Sequence, residues 1–344
     1  MSRTRLAAAC SAVVLTLTMT GCLAGEGTAD AGAPAGEAGS GGELTIDFAT
    51  YNPLSLLIRE HGWLEDALAD EGVEVTWIQS DGSNTANELL RSGEVDVGST
   101  AGSAALLARA NGSPIRTIGI YSQPEWSALV TQPDSGIEEV TDLRGRSVAA
   151  TRGTDPYFFL LQSLAEAGVD QSEVTVENLQ HADGGAALQN GSVDAWAGLD
   201  PIMAAAEQEG SELFYRNVDF NTYGFLNARE DFLEEEPELA QAVVDAYEHA
   251  RRWAAEHPEE TATILSEVAG IEPSVAETVI TERSNLDVDG APGQAQLDVL
   301  TTVGPMLVET GDVAEQSQID DALETLLDDS YVRQADPDRI GGGS

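Results

Sequence analysis

The chain has 344 residues, of which 60 are acidic and 16 basic, for a net charge of −44. Every basic residue is an arginine, and so acidic a surface argues against nucleic acid or anionic lipid as an electrostatic partner. About 300 residues beyond the N-terminal segment are enough for one large domain or two lobes with substantial cores.

Arg3 and Arg5 precede a short apolar run, Leu6 to Thr18, which is followed by Met19-Thr20-Gly21-Cys22. This is the pattern of a signal peptide over residues 1–21 ending in a bacterial lipobox, with Cys22 as the lipid acceptor. The apolar run is too short for a comfortable membrane span. Cleavage there removes Cys10, so no intrachain disulfide is expected in the mature chain. Residues 22–42 are Gly- and Ala-rich and carry no aromatic side chain, which makes them a flexible tether of roughly 25 Å reach.

The next stretch predicts alternating strands and helices. Strands are expected at Leu44–Ala49, Val73–Ile78, Val95–Ser99 and Ile115–Tyr121, with helices at Pro53–Asp70, Asn84–Arg91 and Gly102–Ala110. A further strand, Ser127–Gln132, is assigned to the same lobe, and the turn-rich segment Gln132–Glu139 is expected to cross to a second lobe. The resulting division is lobe one over 43–136, lobe two over 137–220, and a return to lobe one with C-terminal helices over 221–344. The return strand is expected at Thr222–Asn227. Two such crossings form a hinge. Each lobe is expected to be α/β, a mainly parallel sheet flanked by helices.

A faint internal repeat supports two lobes. Leu90–Gly112 aligns without a gap on Leu188–Gly210, matching Gly93 with Gly191, Val95-Asp96 with Val193-Asp194, and Gly112 with Gly210.

Ligands of such sheets sit at the carboxyl ends of strands, where helices begin. In lobe one the candidates are Tyr51, Asn52, Ser80, Gly82, Ser83, Ser99, Thr100 and Gly102, small polar loops whose backbone N–H groups could hold an oxyanion. Each could equally be a helix cap. Tyr121 and Trp126 could stack on an organic solute or belong to the core. In lobe two the strand, loop and helix of Ser147–Gly168 place Gly153, Thr154, Asp155 and Tyr157 at a helix start, with Thr154 or Asp155 as its cap. The motifs HExxH, CxxC, GxSxG and the Walker loop are absent from the sequence. No catalysis, metal or cofactor is expected.

Asp142-Leu143-Arg144-Gly145 followed by Ser147–Gly168 resembles the solute-binding proteins of ABC importers for aliphatic sulfonates, nitrate and taurine, which share a fold with thiamine-precursor binders. The resemblance runs over roughly residues 44–332. It implies a two-lobed periplasmic-binding-protein type II fold, a small solute held between the lobes, a membrane permease as partner, and a monomer on the extracytoplasmic face of the cell membrane. It also places Trp196 and Asp200 at the cleft wall, with Asp200 in the region where taurine-like members pair a carboxylate with the solute amine. The chain departs from the family's Ser-rich pattern at Thr154-Asp155, which leaves an amino-sulfonate, a pyrimidine or another small heterocycle open beside a simple sulfonate. Nitrate or bicarbonate binders and an enzyme on this fold are the further alternatives.

Overall fold

A computed structural model describes residues 42–341. The expected signal peptide, Cys22 and the tether lie outside the described residues, save the tether's last residue, Gly42. Ten strands are formed: β1 (Glu43–Phe48), β2 (Glu74–Gln79), β3 (Val97–Ala101), β4 (Ile115–Ser122), β5 (Ser127–Thr131), β6 (Ser147–Ala149), β7 (Thr175–Glu177), β8 (Ala195–Leu199), β9 (Glu212–Tyr215) and β10 (Gly224–Arg229).

They make two five-stranded sheets of the same design, β2-β1-β3-β10-β4 and β7-β6-β8-β5-β9. In the first, β1 runs parallel to β2 and β3, while β10 is antiparallel to β3 and β4. In the second, β6 runs parallel to β7 and β8, while β5 is antiparallel to β8 and β9. In each sheet four strands run one way and a single strand runs against them, so the sheets are mainly parallel, as expected, with one antiparallel strand apiece. The antiparallel strand of each arrives directly from the other lobe and so enters from the opposite end.

One assignment is corrected. The strand expected at Ser127–Gln132 forms, but it is β5 of the second sheet, so the first crossing is the short segment 123–126. The turn-rich segment after it only joins β5 to β6 within lobe two. Gly, Pro and Asp mark any surface turn, and composition could not tell a crossing from a turn.

The internal repeat is real in three dimensions. β3 and β8 occupy matching central positions, and the glycines that end the preceding helices have matching positive φ, 76° at Gly93 and 74° at Gly191. The left-handed backbone there turns the chain from helix into strand, which only glycine does without strain.

The lobe-one core packs Leu44, Ile46, Leu54 and Leu57 against Val97, Leu226 and the helix Pro237–Glu256. Lobe two buries Val130, Leu188, Val193, Trp196 and Met203. A third cluster spans the two lobes, joining Leu90, Leu106 and Phe225 to Tyr157, Phe158 and Phe159. Each fully buried side chain of this kind contributes about 2 kcal/mol. The C-terminal helices pack mainly on lobe one, and one of them, Pro273–Thr278, runs on into a wider π turn, Val279–Arg283. Ser284 closes that turn, its N–H and hydroxyl both donating to the Val279 carbonyl at 2.8 Å. The widened turn points Arg283 at lobe two.

Candidate functional site in the inter-lobe cleft

The two sheets face each other with the carboxyl ends of their parallel strands toward the cleft, and direct contacts close it. At its centre is Asp155, the first residue of the helix Asp155–Glu166 and 1 % exposed. It does not cap that helix. Its Oδ1 accepts from the Ser103 hydroxyl of lobe one at 2.6 Å and the Thr222 hydroxyl at 2.7 Å. Its Oδ2 accepts from the Trp126 indole N–H and the Thr222 backbone N–H, both at 2.8 Å. A buried carboxylate needs donors from wherever they can be had, and these come from both crossing segments and the opposite lobe. Burial raises its carboxyl above the ordinary range against the pull of these donors.

Beside this bridge lies a cavity bounded by Thr50, Tyr51, Ser122, Trp126, Asp200, Arg283 and Ser284, with about 10 Å³ of free volume. That is room for about one water molecule. Arg283 is 5 % exposed. Its Nη1 donates to both oxygens of Asp200 at 3.3 and 3.4 Å, and its Nη2 to Glu207. Asp200 is 4 % exposed, also accepts from the Ala204 N–H at 3.0 Å, and has its carboxyl pushed up to about 7 by burial, against the opposing pull of Arg283.

A third contact closes the cleft at His181, which starts the helix His181–Gln189 and is 1 % exposed. Its Nδ1 lies 3.2 Å from the Thr151 hydroxyl, and that hydroxyl gives its proton to the Leu179 carbonyl at 2.7 Å. Thr151 can therefore only accept, so neutral His181 carries its proton on Nδ1. Burial pushes this histidine down to about 4, which keeps it neutral. Across the cleft, its Nε2 and the Asn84 Oδ1 both crowd Gly82, within 3 Å of where a Cβ would stand. Any larger residue at Gly82 would push the lobes apart.

The structure divides the sequence candidates. Tyr51, Asp200 and Asp155 face the cleft, with Tyr121 behind Trp126 at a ring-centroid distance of 6.4 Å. Gly82 and Gly153 lie at the lobe contact, Gly153 against Leu107 and Asn84. Thr154 donates to the Thr151 carbonyl within its own loop. Ser80 and Ser99 are turned inward onto the buried Asp47, which accepts from both hydroxyls and from the Ser99 N–H. Asn52 caps its helix at the Ser55 N–H and donates to the Tyr247 hydroxyl, Ser83 accepts from the Ala101 N–H, and Thr100 accepts from Asn227. The Gly102 N–H is given to the Tyr223 carbonyl. These four residues are structural, and their helix starts are already occupied by the chain.

Two aromatic expectations go the same way. Trp196 is 1 % exposed in the lobe-two core, its indole against Gly184, and Tyr157 is fully buried in the cluster that spans the lobes, its hydroxyl accepting from Gln171. Strand alternation directs Trp196 away from the cleft.

Arg283 is the residue that sequence reading missed. It lies in an apolar helical pattern near the C-terminus, and the helix reads as core packing unless the π turn is foreseen. The signal available was that a chain with 16 cations spends one in a segment otherwise rich in Val, Ile and Thr.

The family model described as NMT1/THI5 like matches residues 57–261. The chain belongs to the NMT1/THI5-like family. Within and around it, the chain is 26 % identical over 286 residues to the "Putative aliphatic sulfonates-binding protein" of Bacillus subtilis, covering 80 % of this chain and 86 % of that one. It is 27 % identical over 231 residues to the protein of the same name from Escherichia coli, covering 66 % and 72 %. The fold is that of the alkanesulfonate-binding protein SsuA from Xanthomonas axonopodis pv. citri, solved bound to MOPS: TM-score 0.74 at 22 % identity, over 81 % of this chain and 97 % of that one. The family's two-lobed binding-protein architecture is thus the one described above. Among the described residues no helix is long and apolar enough to cross a membrane, and no group of three or more His, Cys, Asp or Glu is placed to hold a metal ion.

Proposed function

We propose that the protein is the lipid-anchored, extracytoplasmic solute-binding component of an ABC importer, and that it carries a small aliphatic sulfonate to the permease. The observation that carries the solute class is Arg283, a buried guanidinium at the inter-lobe cavity of a chain whose surface is overwhelmingly anionic. A guanidinium fork matches the oxygens of a sulfonate, and the hydroxyls of Ser122, Ser284 and Thr50 line the same cavity. The relatives named as sulfonate binders point to the same class. Solute entry requires the lobes to part about the two crossing segments, and reclosure would bury the sulfonate.

A simple alkanesulfonate and a taurine-like zwitterion both belong to this class: Asp200, the expected partner for a solute amine, is paired with Arg283 in this structure. The lipobox ending at Cys22 and the tether supply the membrane anchor in this reading.

Thermal shift on the soluble form beginning at Leu23 tests the solute class, with ethanesulfonate, longer alkanesulfonates, taurine, nitrate, bicarbonate and pyrimidines as probes. A sulfonate at a hundred times its Kd should add about 2.7 kcal/mol of stability. A melt moved by none of the sulfonates would refute the proposal, and turnover of a bound sulfonate would replace it with an enzymatic one. Radiolabelled palmitate incorporation that survives Cys22→Ala would refute the anchor.

A further inference from the structure

Arg283 and Asp200 are paired in this structure. Nη1 serves both Asp200 oxygens and Nη2 serves Glu207, so an anion seated on these two nitrogens displaces a carboxylate. Of the two carboxylates, Asp200 is buried at 4 % exposed while the Glu207 side chain is 42 % exposed and can return to water. Asp200 cannot. It is held by the Ala204 N–H and by its own N–H to the Trp126 carbonyl, at the wall of the cavity where the solute would sit.

Resting on the functional reading above, we infer that a sulfonate binds by taking Asp200's place on Arg283, and that the displaced Asp200 carboxylate takes up one proton from solvent. The covalent change is a single O–H bond formed on Asp200, with the proton drawn from water or buffer. Two buried anions sharing one guanidinium is the arrangement a low-dielectric cleft disfavours most, and neutralising the carboxylate removes it. The neutral acid also becomes a hydroxyl donor toward a sulfonate oxygen.

The groups facing Asp200 leave no other outlet. The π turn contributes Arg283 and the helix Ile202–Gln208 contributes Glu207. Tyr51, on the remaining wall, gives its hydroxyl to the Ser99 carbonyl. The carboxyl is already poised, since burial pushes it up to about 7 while Arg283 is still in place.

A zwitterion separates the two ideas. Taurine brings its own ammonium for Asp200 and needs no proton, whereas ethanesulfonate brings none. Isothermal titration calorimetry at pH 8, in buffers of different ionisation enthalpy, counts the protons taken up. Ethanesulfonate should take up close to one and taurine close to none, and the Kd for ethanesulfonate should weaken by close to tenfold between pH 7.5 and 8.5. Asp200→Asn, whose amide stands in for the neutral acid, should bind ethanesulfonate, at whatever affinity remains, with neither proton uptake nor pH slope; Arg283→Gln should lose binding. Ethanesulfonate binding with no proton uptake in the unsubstituted protein overturns the inference and leaves the functional reading standing. Failure of every sulfonate to bind at any pH overturns both.

Discussion

Asp96 and Asp194 stand 98 positions apart and hold the same place in the two sheets: each accepts a backbone N–H from a strand parallel to the one it leads into, Thr45 of β1 at 2.9 Å and Ser147 of β6 at 2.8 Å. Each also returns its own N–H to that residue's carbonyl, and each is paired with an arginine, Arg229 for Asp96 and Arg146 for Asp194. The carboxylate thus pins the start of β3 to β1 in lobe one and the start of β8 to β6 in lobe two. Alanine at either position should cost about 1–3 kcal/mol, because a backbone donor is left without a partner. Their pH responses should oppose each other. The Ser147 N–H holds the Asp194 carboxyl below its ordinary range, so its contribution is present above the unfolded pKa and fades as pH falls through the folded one; burial raises Asp96, so its contribution fades as pH rises. Urea unfolding of Asp96→Asn and Asp194→Asn across pH 3 to 6 checks both signs.

Asp155 should prove the least replaceable carboxylate in the cleft. Alanine there strands the Trp126 indole N–H and the Thr222 N–H in a buried site and unties the Ser103 hydroxyl of the opposite lobe. We expect a loss of about 3 kcal/mol or more. Ser103→Ala removes the inter-lobe bond alone, so it should cost less in stability while increasing the radius of gyration in solution scattering. Equal stability of Asp155→Ala and the unsubstituted protein would show that these donors find water instead.

Trp196 tests whether the cleft wall was read correctly. Its indole fills the space over Gly184, where a Cβ would come within 2.7 Å of Nε1. Gly184→Ala should therefore destabilise by about 1–3 kcal/mol through overpacking. Trp196→Phe should lower the melting temperature and leave sulfonate affinity within twofold, as read by calorimetry. A large affinity loss with an unchanged melt would put Trp196 on the cleft instead.

The order of strands and helices was legible because each lobe repeats short apolar runs and capped helices, and the Leu90 and Leu188 copies even coincide strand for strand in β3 and β8. Sheet membership was not. Ser127–Thr131 is apolar enough for either sheet, and only its antiparallel pairing with β8 and β9 decides. In the site, residue types pointed to the right loops but not to the right side chains. Ser80, Ser99 and Asn52 read as ligand donors, yet they serve Asp47 and a helix cap, because a hydroxyl's direction depends on which neighbour is buried. Arg283 comes from 83 residues further along the chain than Asp200, and no local pattern links the two.

The acidic surface predicts an unusual salt response. With 60 carboxylates against 16 cations, repulsion outweighs the exposed ion pairs, each worth at most about 1 kcal/mol. Raising the ionic strength to 1 M shortens the screening length from about 8 Å to 3 Å and relieves that repulsion. The melting temperature should climb steadily from 0.2 to 2 M KCl. A melting temperature that fell with salt would show that the ion pairs outweigh the repulsion.

Asp47 gives the last test, on the inner side of the first strand. Wholly buried in β1, it accepts from the Ser80 hydroxyl at 2.6 Å and the Ser99 N–H at 2.8 Å, and burial still pushes its carboxyl up to about 7. An unfolded aspartate titrates near 3.9. Between these values the folded chain binds more protons than the unfolded one, so stability falls as pH rises through that window and is fully present below it. Asp200 acts in the same direction over the same range. At fixed high salt the unfolding free energy should therefore increase from pH 8 down to pH 5. Asp47→Asn keeps the shape and has no proton to exchange. It should reduce the slope by up to about 1.4 kcal/mol per pH unit, the contribution of one proton. A slope in Asp47→Asn as steep as in the unsubstituted protein would mean that Asp47 stays ionised, its hydrogen bonds from Ser80 and Ser99 outweighing burial.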